Sequence, residues 1–291
     1  MKKKVLAAIL IAVGVLTGCG NSEPISSPIQ TVEAEPIATD TKEVEQPAAT
    51  ESSADEVAPE HSYRSELTNE WIDEDLKDQR PIAVMVDNER TALPHFGTAD
   101  ADVVYEIMNS TLNDRITRFM VVVKDWEKIE QLGSIRSARP TNFMLAAEWN
   151  AVTFDDRSDA ISATTIELPF KHNGSTLKYN EETGTYDYYE YGSAHKDADS
   201  NAQLTFENVI LQDTTFAELG EGYLIYNAID SGRSGYYITQ GKAIEVTWTK
   251  SSENAITHYY DAKTGEEIQI NTGKTYISLI PSDGWSSLVI K

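Results

Sequence analysis

Arg118, Arg136 and Arg139 are the residues of this chain best suited to holding an anion, because cations are scarce in it: 24 Lys and Arg stand against 47 Asp and Glu. Arg118 falls inside the apolar run Ile116–Val123, and Arg136 and Arg139 bracket Ser137-Ala138 just before Pro140. Pro140 suits the first turn of a helix, and a helix N-terminus beside guanidinium groups favours a carboxylate or phosphate. The alternative is structural: Arg118 could pair with Asp87 or Glu106 inside a sheet. For proton transfer, Asp87, His195 and Asp197 are the available acids and bases. His195 and Asp197 sit two residues apart and could form a polar pair.

Other apparent motifs fail on their surroundings. Ser193-Ala-His-Lys196, Ser252-Glu253-Asn254 and Lys263-Thr264-Gly265 follow the order of penicillin-interacting serine enzymes. There the first serine opens a helix and the Lys-Thr-Gly lies on a strand. Here Ser193 lies in a polar loop and Lys263-Thr264-Gly265 reads as a hairpin turn. Gly273-Lys274-Thr275 lacks the glycine five residues before the lysine that a phosphate loop needs. Asp197-Ala-Asp199-Ser-Asn201 has the spacing of three calcium ligands, but Ala202 stands in the place of the glycine and Asn208 in that of the closing glutamate. His61, His95, His172, His195 and His258 include no pair at helical ligand spacing, so no metal site and no cofactor are expected.

Cys19, the single cysteine, carries the clearest chemistry. Three lysines, an apolar run from Val5 to Leu16 and then Leu16-Thr17-Gly18-Cys19 form a secretory signal peptide with a lipobox. The pattern resembles bacterial lipoproteins. It implies that residues 1–18 are removed and that Cys19 is acylated, a diacylglycerol and palmitate-type modification. The run is too short for a membrane span of about twenty apolar residues, whereas two acyl chains give stable attachment. The expected location is therefore the extracytoplasmic face of the bacterial cell membrane.

Residues 19–65 read as a disordered, acidic tether. From Asn21 to Glu60 there are ten Asp or Glu against one Lys, five of the ten prolines, and no aromatic residue. Such a segment cannot bury enough apolar surface to offset its ordering entropy. The net charge of −23 and the absence of a basic patch after the signal peptide exclude a nucleic-acid partner.

The elements that must position the candidate residues divide in character. Within residues 66–170, Ile82–Val86, Ala101–Met108 and Ile116–Val123 are continuous apolar runs, as in strands buried on both faces. Thr141–Trp149 reads as helix and Ala151–Phe154 as strand. Residues 171–291 alternate instead. Hairpins are expected about Glu181–Gly184, Gln240-Gly241 and Lys263–Gly265, with Leu204–Leu211 and Tyr276–Ile280 as further strands. The expected fold class is α+β: a mixed α/β N-terminal part followed by a mainly antiparallel β C-terminal part.

Several of these stretches together resemble the YerB-like lipoprotein family, known as domain of unknown function 3048. They are Arg80–Asn88 (RPIAVMVDN), Ala101–Glu106 (ADVVYE), Ile116–Phe119 (ITRF), Gly133–Pro140 (GSIRSARP), Asn180–Tyr186 (NEETGTY), His195–Asp197, Leu204–Leu211, Trp248–Lys250, Tyr260–Gly265 and Asn271–Tyr276. The resemblance implies a secreted, lipid-anchored protein and supplies no reaction. Members of that family usually carry a His-x-Gly-Gly-Ser stretch and several dozen further residues where this chain reads Ala151–Asp159. If that stretch holds the family's site, this chain lacks it.

The residues favour a non-catalytic binding or scaffold module at the membrane–wall boundary, with wall glycan, peptide or another envelope protein as partner. The alternative is a wall-directed hydrolase or transferase using Asp87 or the His195/Asp197 pair. A solute-binding protein is a weaker third, because alternating βαβ units are not evident.

Overall fold

The computed structural model describes residues 57–138, 140–145, 160–220 and 222–291. Cys19, the tether up to Glu56, Arg139 and the stretch around Ala151–Phe154 lie outside the described residues.

A nine-stranded mixed sheet organises the chain. Its strands run in the order His258–Asp261, Lys242–Thr249, Ser231–Thr239, Asn208–Thr214, Thr275–Pro281, Val103–Met108, Thr117–Val123 and Ile82–Asp87, with Ile161–Ser162 paired to Lys242–Thr249. The continuous apolar runs occupy the middle. Every residue of Val103–Met108 and of Thr275–Pro281 is buried. Thr275–Pro281 is parallel to both of its neighbours, the arrangement that needs both faces covered. Ile82–Asp87 is not doubly buried as its sequence predicts. It is an edge strand with Ala83 exposed, and only its last three residues are sealed. There the segment around Ser134 and Arg136 runs along the open edge: the Asp87 amide donates to the Ser134 carbonyl at 2.9 Å and the Arg136 amide to Met85 at 2.8 Å.

A second, six-stranded sheet is built from Ser193–Ala194, Thr185–Glu190, Thr176–Asn180, Thr165–Glu167 and Val289–Ile290, with Thr205–Phe206 also on Thr185–Glu190. It packs on one face of the large sheet. Tyr188 meets Phe119 and Tyr276, and Phe206 meets Tyr276, with ring centroids 5.4–5.8 Å apart. The expected single strand Leu204–Leu211 is two: Thr205–Phe206 belongs to the small sheet and Asn208–Thr214 to the large one, the chain changing sheets at Glu207.

The α+β expectation is overturned. The structure is almost all β, and no helix among the described residues reaches seven residues. The helix that begins at Pro140 is described only to Leu145. The apolar runs do mark buried strands, but burial of a strand does not specify what covers it. Here a β-sheet covers one face of strands whose pattern suits crossover helices equally well. The parallel neighbours Glu106 and Ser278 lie 172 residues apart, so hairpins and the small sheet fill the connection. Among the described residues no helix is long and apolar enough to cross a membrane.

The turns form where glycine permits them. Thr176–Asn180 and Thr185–Glu190 pair antiparallel around Gly184 (φ 74°). Ser231–Thr239 and Lys242–Thr249 pair around Gln240-Gly241, both at positive φ, as a two-residue primed turn requires. On the second arm Ile244, Val246 and Trp248 are buried while Glu245 is exposed. Lys263–Gly265 is a turn in which Asp261 Oδ1 accepts the Lys263 and Thr264 amides.

Candidate functional site

Where the two sheets meet, a polar cluster lies inside the apolar core. Glu106 on the strand Val103–Met108 is fully buried. Its Oε1 accepts hydrogen bonds from Thr117 Oγ1 (2.7 Å), Ser175 Oγ (2.7 Å), Asn173 Nδ2 (2.8 Å) and, more distantly, Asn88 Nδ2 (3.4 Å). Its Oε2 accepts from the Tyr188 (3.0 Å) and Tyr276 hydroxyls. Burial, then the nearby Glu106 charge, pushes the pKa of Tyr188 and Tyr276 well above the phenol range, so both stay donors. The cluster satisfies a buried charge and clamps one sheet to the other.

Beside it, three ligand-type side chains converge. His95 follows Pro94 in the loop after the edge strand. Glu190 ends the strand Thr185–Glu190, and His195 follows the short strand Ser193–Ala194. Tyr191-Gly192, both at positive φ, turns the chain so that Glu190 lies opposite Ser193. His195 Nδ1 is 2.7 Å from Glu190 Oε1, and its Nε2 is 3.2 Å from Thr98 Oγ1. His95 Nε2–H donates to the Asp87 carbonyl at 2.6 Å. The two imidazole rings are 4.9 Å apart, with Phe119 against both. Burial lowers both histidines to a pKa of about 4 and raises Glu190 to about 8. Burial thus favours the neutral form of each group in the His195–Glu190 contact.

Two loops hold this group. The His95–Thr98 loop and the His195–Ser200 loop are joined by the Ala198 amide donating to the His95 carbonyl at 2.8 Å. Asp197 is turned inward, its Oδ1 accepting the Asp199 and Ser200 amides and the Ser200 hydroxyl. Burial opposes its ionisation, but these bonds outweigh that and its pKa lies below the ordinary value. The calcium-like spacing at Asp197 thus serves a turn.

A cavity of about 330 Å³ opens next to the cluster, lined by Arg90, Tyr191, Lys196, Glu190 and His195 among others. Arg90 and Lys196 are exposed, and neither is in an ion pair among the described residues. Arg90 lies over the Tyr191 ring at 5.9 Å. A larger cavity of about 520 Å³ lies elsewhere, where Arg115 is already bound bidentately to Asp283 (2.9 and 2.6 Å).

The sequence-derived candidates scatter around the cluster. Asp87 is buried and its Oδ2 accepts from Arg136 Nε at 2.8 Å. Arg118 lies across from Asp87 in the ladder, and its Nη1 donates to the Ser137 carbonyl at 2.9 Å. Glu106 faces the other side of the sheet from Arg118. Asp87 reaches the histidine cluster only through its backbone carbonyl. His195 pairs with Glu190, not with Asp197. Glu190, Thr98 and Arg90 do not stand out in the sequence, while His95 figures there only among histidines without ligand spacing and Lys196 only in a rejected motif and a resemblance stretch, since no spacing links residues a hundred positions apart. The one local signal is Glu190-Tyr191-Gly192, where a turn glycine folds Glu190 back near His195.

Fold and site together define a β protein built on two large packed sheets, with a His–Glu–His cluster at their seam and a cationic cavity beside it. The N-terminal model of the protein family of unknown function DUF3048 matches residues 67–218 and its C-terminal model residues 166–277. The chain belongs to this YerB-like family. The crystal structure of the YerB protein from Bacillus subtilis is similar over 79% of this chain and 99% of that one, with a TM-score of 0.64 and 16% identity. That likeness shows the fold. No curated protein matches the sequence significantly.

Proposed function

We propose that this chain is a lipid-anchored cell-envelope protein, held through Cys19 at the outer face of the cell membrane. There it acts as a binding module for an anionic group of wall glycan, peptide or an envelope partner. The observation that carries the binding reading is the cavity beside Tyr191. It brings together two exposed cations, Arg90 and Lys196, neither in an ion pair among the described residues, in a chain of net charge −23. A tyrosine ring beside two such cations suits a carboxylate or phosphate on a partly apolar ligand. Asp87, His195 and Asp197, by contrast, are at most 4% exposed and engaged with protein partners.

A hydrolase or transferase is the second reading. The order Thr98 Oγ1, His195 Nε2, His195 Nδ1, Glu190 Oε1 favours it, since it is the order of nucleophile, base and orienting acid. Thr98, however, is fully buried.

Incubation of the full chain with purified cell-wall sacculi separates the two. Retention that disappears in an Arg90→Ala/Lys196→Ala variant is expected of the binding module. Soluble muropeptides that vanish in a His195→Ala variant would replace it with the enzyme. Neither retention nor release would leave a protein partner at the membrane surface.

A further inference from the structure

We propose that His95, His195 and Glu190 form a binding site for a divalent transition-metal ion, with Zn²⁺ the ion the donor set fits best. Their ligand atoms lie within 4.8 Å of one another, and all three residues are buried. They arrive from three places in the chain, Glu190 at the end of a strand and the two histidines on loops joined to each other, so the grouping is imposed by the fold.

The hydrogen bonds around the cluster point the same way. A carbonyl only accepts, so the bond to Asp87 O places the His95 proton on Nε2 and leaves a lone pair on Nδ1. That Nδ1 is buried and has no hydrogen-bond partner. Glu190 Oε2 is likewise buried without one; the Asn88 and Asn173 amides favour its ionised form but neither reaches it in hydrogen-bond geometry. Two orphaned acceptors in one cluster are costly in a folded core, each by about 1–3 kcal/mol. A Lewis acid between them removes both costs. His195 completes the set: its Nε2 can donate to Thr98 Oγ1 while Nδ1 faces Glu190. Each histidine then holds an outer hydrogen-bond acceptor on its far nitrogen, which fixes tautomer and ring orientation at metal sites.

Two imidazoles and one carboxylate suit zinc and its first-row neighbours, whereas calcium and magnesium take oxygen ligands. Three protein ligands leave a coordination position free. Because Glu190 and His195 line the cavity of about 330 Å³, that cavity supplies an entry route and room for a water or an anionic ligand. The metal site goes beyond the anion-binding reading and does not depend on it.

The experiment is a metal titration of the full chain after chelator treatment, using Zn²⁺ and Co²⁺ alone, with no wall material present. One equivalent of Zn²⁺ is expected to bind. The Co²⁺ form should show the intense visible bands of four- or five-coordinate cobalt. Affinity should fall more than about 100-fold in Glu190→Gln and His95→Gln, and about 10-fold in Thr98→Val, the range for loss of an outer hydrogen bond. The proposal is overturned if the chain binds no stoichiometric ion, or if Glu190→Gln and His95→Gln chains with unchanged circular dichroism bind it equally well. Should those variants not fold, the cobalt spectrum of the unaltered chain decides: pale six-coordinate bands overturn the site, and intense ones support it.

Discussion

At Glu106, six donors from six other residues close on one buried carboxylate, and nothing local in the sequence marks it out from other acidic residues. Removing it takes the acceptor from the buried Thr117, Ser175 and Tyr276 hydroxyls, while the Asn88 and Asn173 amides keep Thr117 Oγ1 and the Tyr188 hydroxyl keeps Ser175 Oγ. We expect Glu106→Ala to lose several kcal/mol, at about 1–3 kcal/mol for each buried donor left without an acceptor, measured by urea unfolding. Tyr276→Phe, which deletes one donor, should lose about 1 kcal/mol. A loss from Glu106→Ala below that from Tyr276→Phe would show that the network does not hold the sheets together. Asp102 offers a pH test. Burial, opposed by the Lys124 amide at 2.6 Å, raises its pKa to about 6 from 3.8. A carboxyl raised on folding holds its proton in the native state longer than in the unfolded state. Its contribution is therefore full below pH 3.8 and is lost as pH rises through 6. Relative to Asp102→Asn, the unaltered chain should lose about 2–3 kcal/mol between pH 3.8 and 6. Parallel stability curves for the two proteins would refute this.

At the scale of elements, the loop His95–Thr98 depends on Gly97. It has φ 71°, and a Cβ there would sit 2.5 Å from the Gln131 carbonyl oxygen. Both the dihedral and the backbone contact forbid a side chain. Gly97→Ala should therefore cost at least about 1–2 kcal/mol and displace His95 and Thr98 together. The readouts are thermal unfolding and the imidazole proton resonances of His95 and His195; an unshifted His95 would show that the loop is not held by this contact. Hairpins were legible because their information is local: Gly184 and Gly241 sit at the turns their neighbours predict. Leu204–Leu211 was misread because an unbroken strand pattern does not record a change of sheet at Glu207. Ile82–Val86 was misread as doubly buried because an apolar run does not reveal that a strand lies at an edge.

For the whole molecule, the charge and the N-terminal pattern set the expectation of a tethered protein. Cys19→Ser should move the chain from the membrane to the soluble fraction, assayed by fractionation and by the mass of the N-terminal peptide. Continued membrane attachment of that variant would remove the lipid anchor from the account. The fold class was the larger error. Apolar runs in residues 66–170 were assigned to an α/β part, yet they join strands from residues 171–291 in one sheet, and a second sheet covers them.

By itself the sequence determined the family, the central apolar strands, the hairpin turns and the acidic segment before residue 66, because each is written in short-range pattern or in an ordered set of motifs. Tertiary structure alone decided three things: that His95, Glu190 and His195 meet, that Glu106 is a hub and not a partner of Arg118, and that Arg90 and Lys196 share a cavity. These depend on parallel pairing and sheet packing between residues up to 172 positions apart. A pattern with period two or 3.6 carries no information about which distant strand will lie alongside.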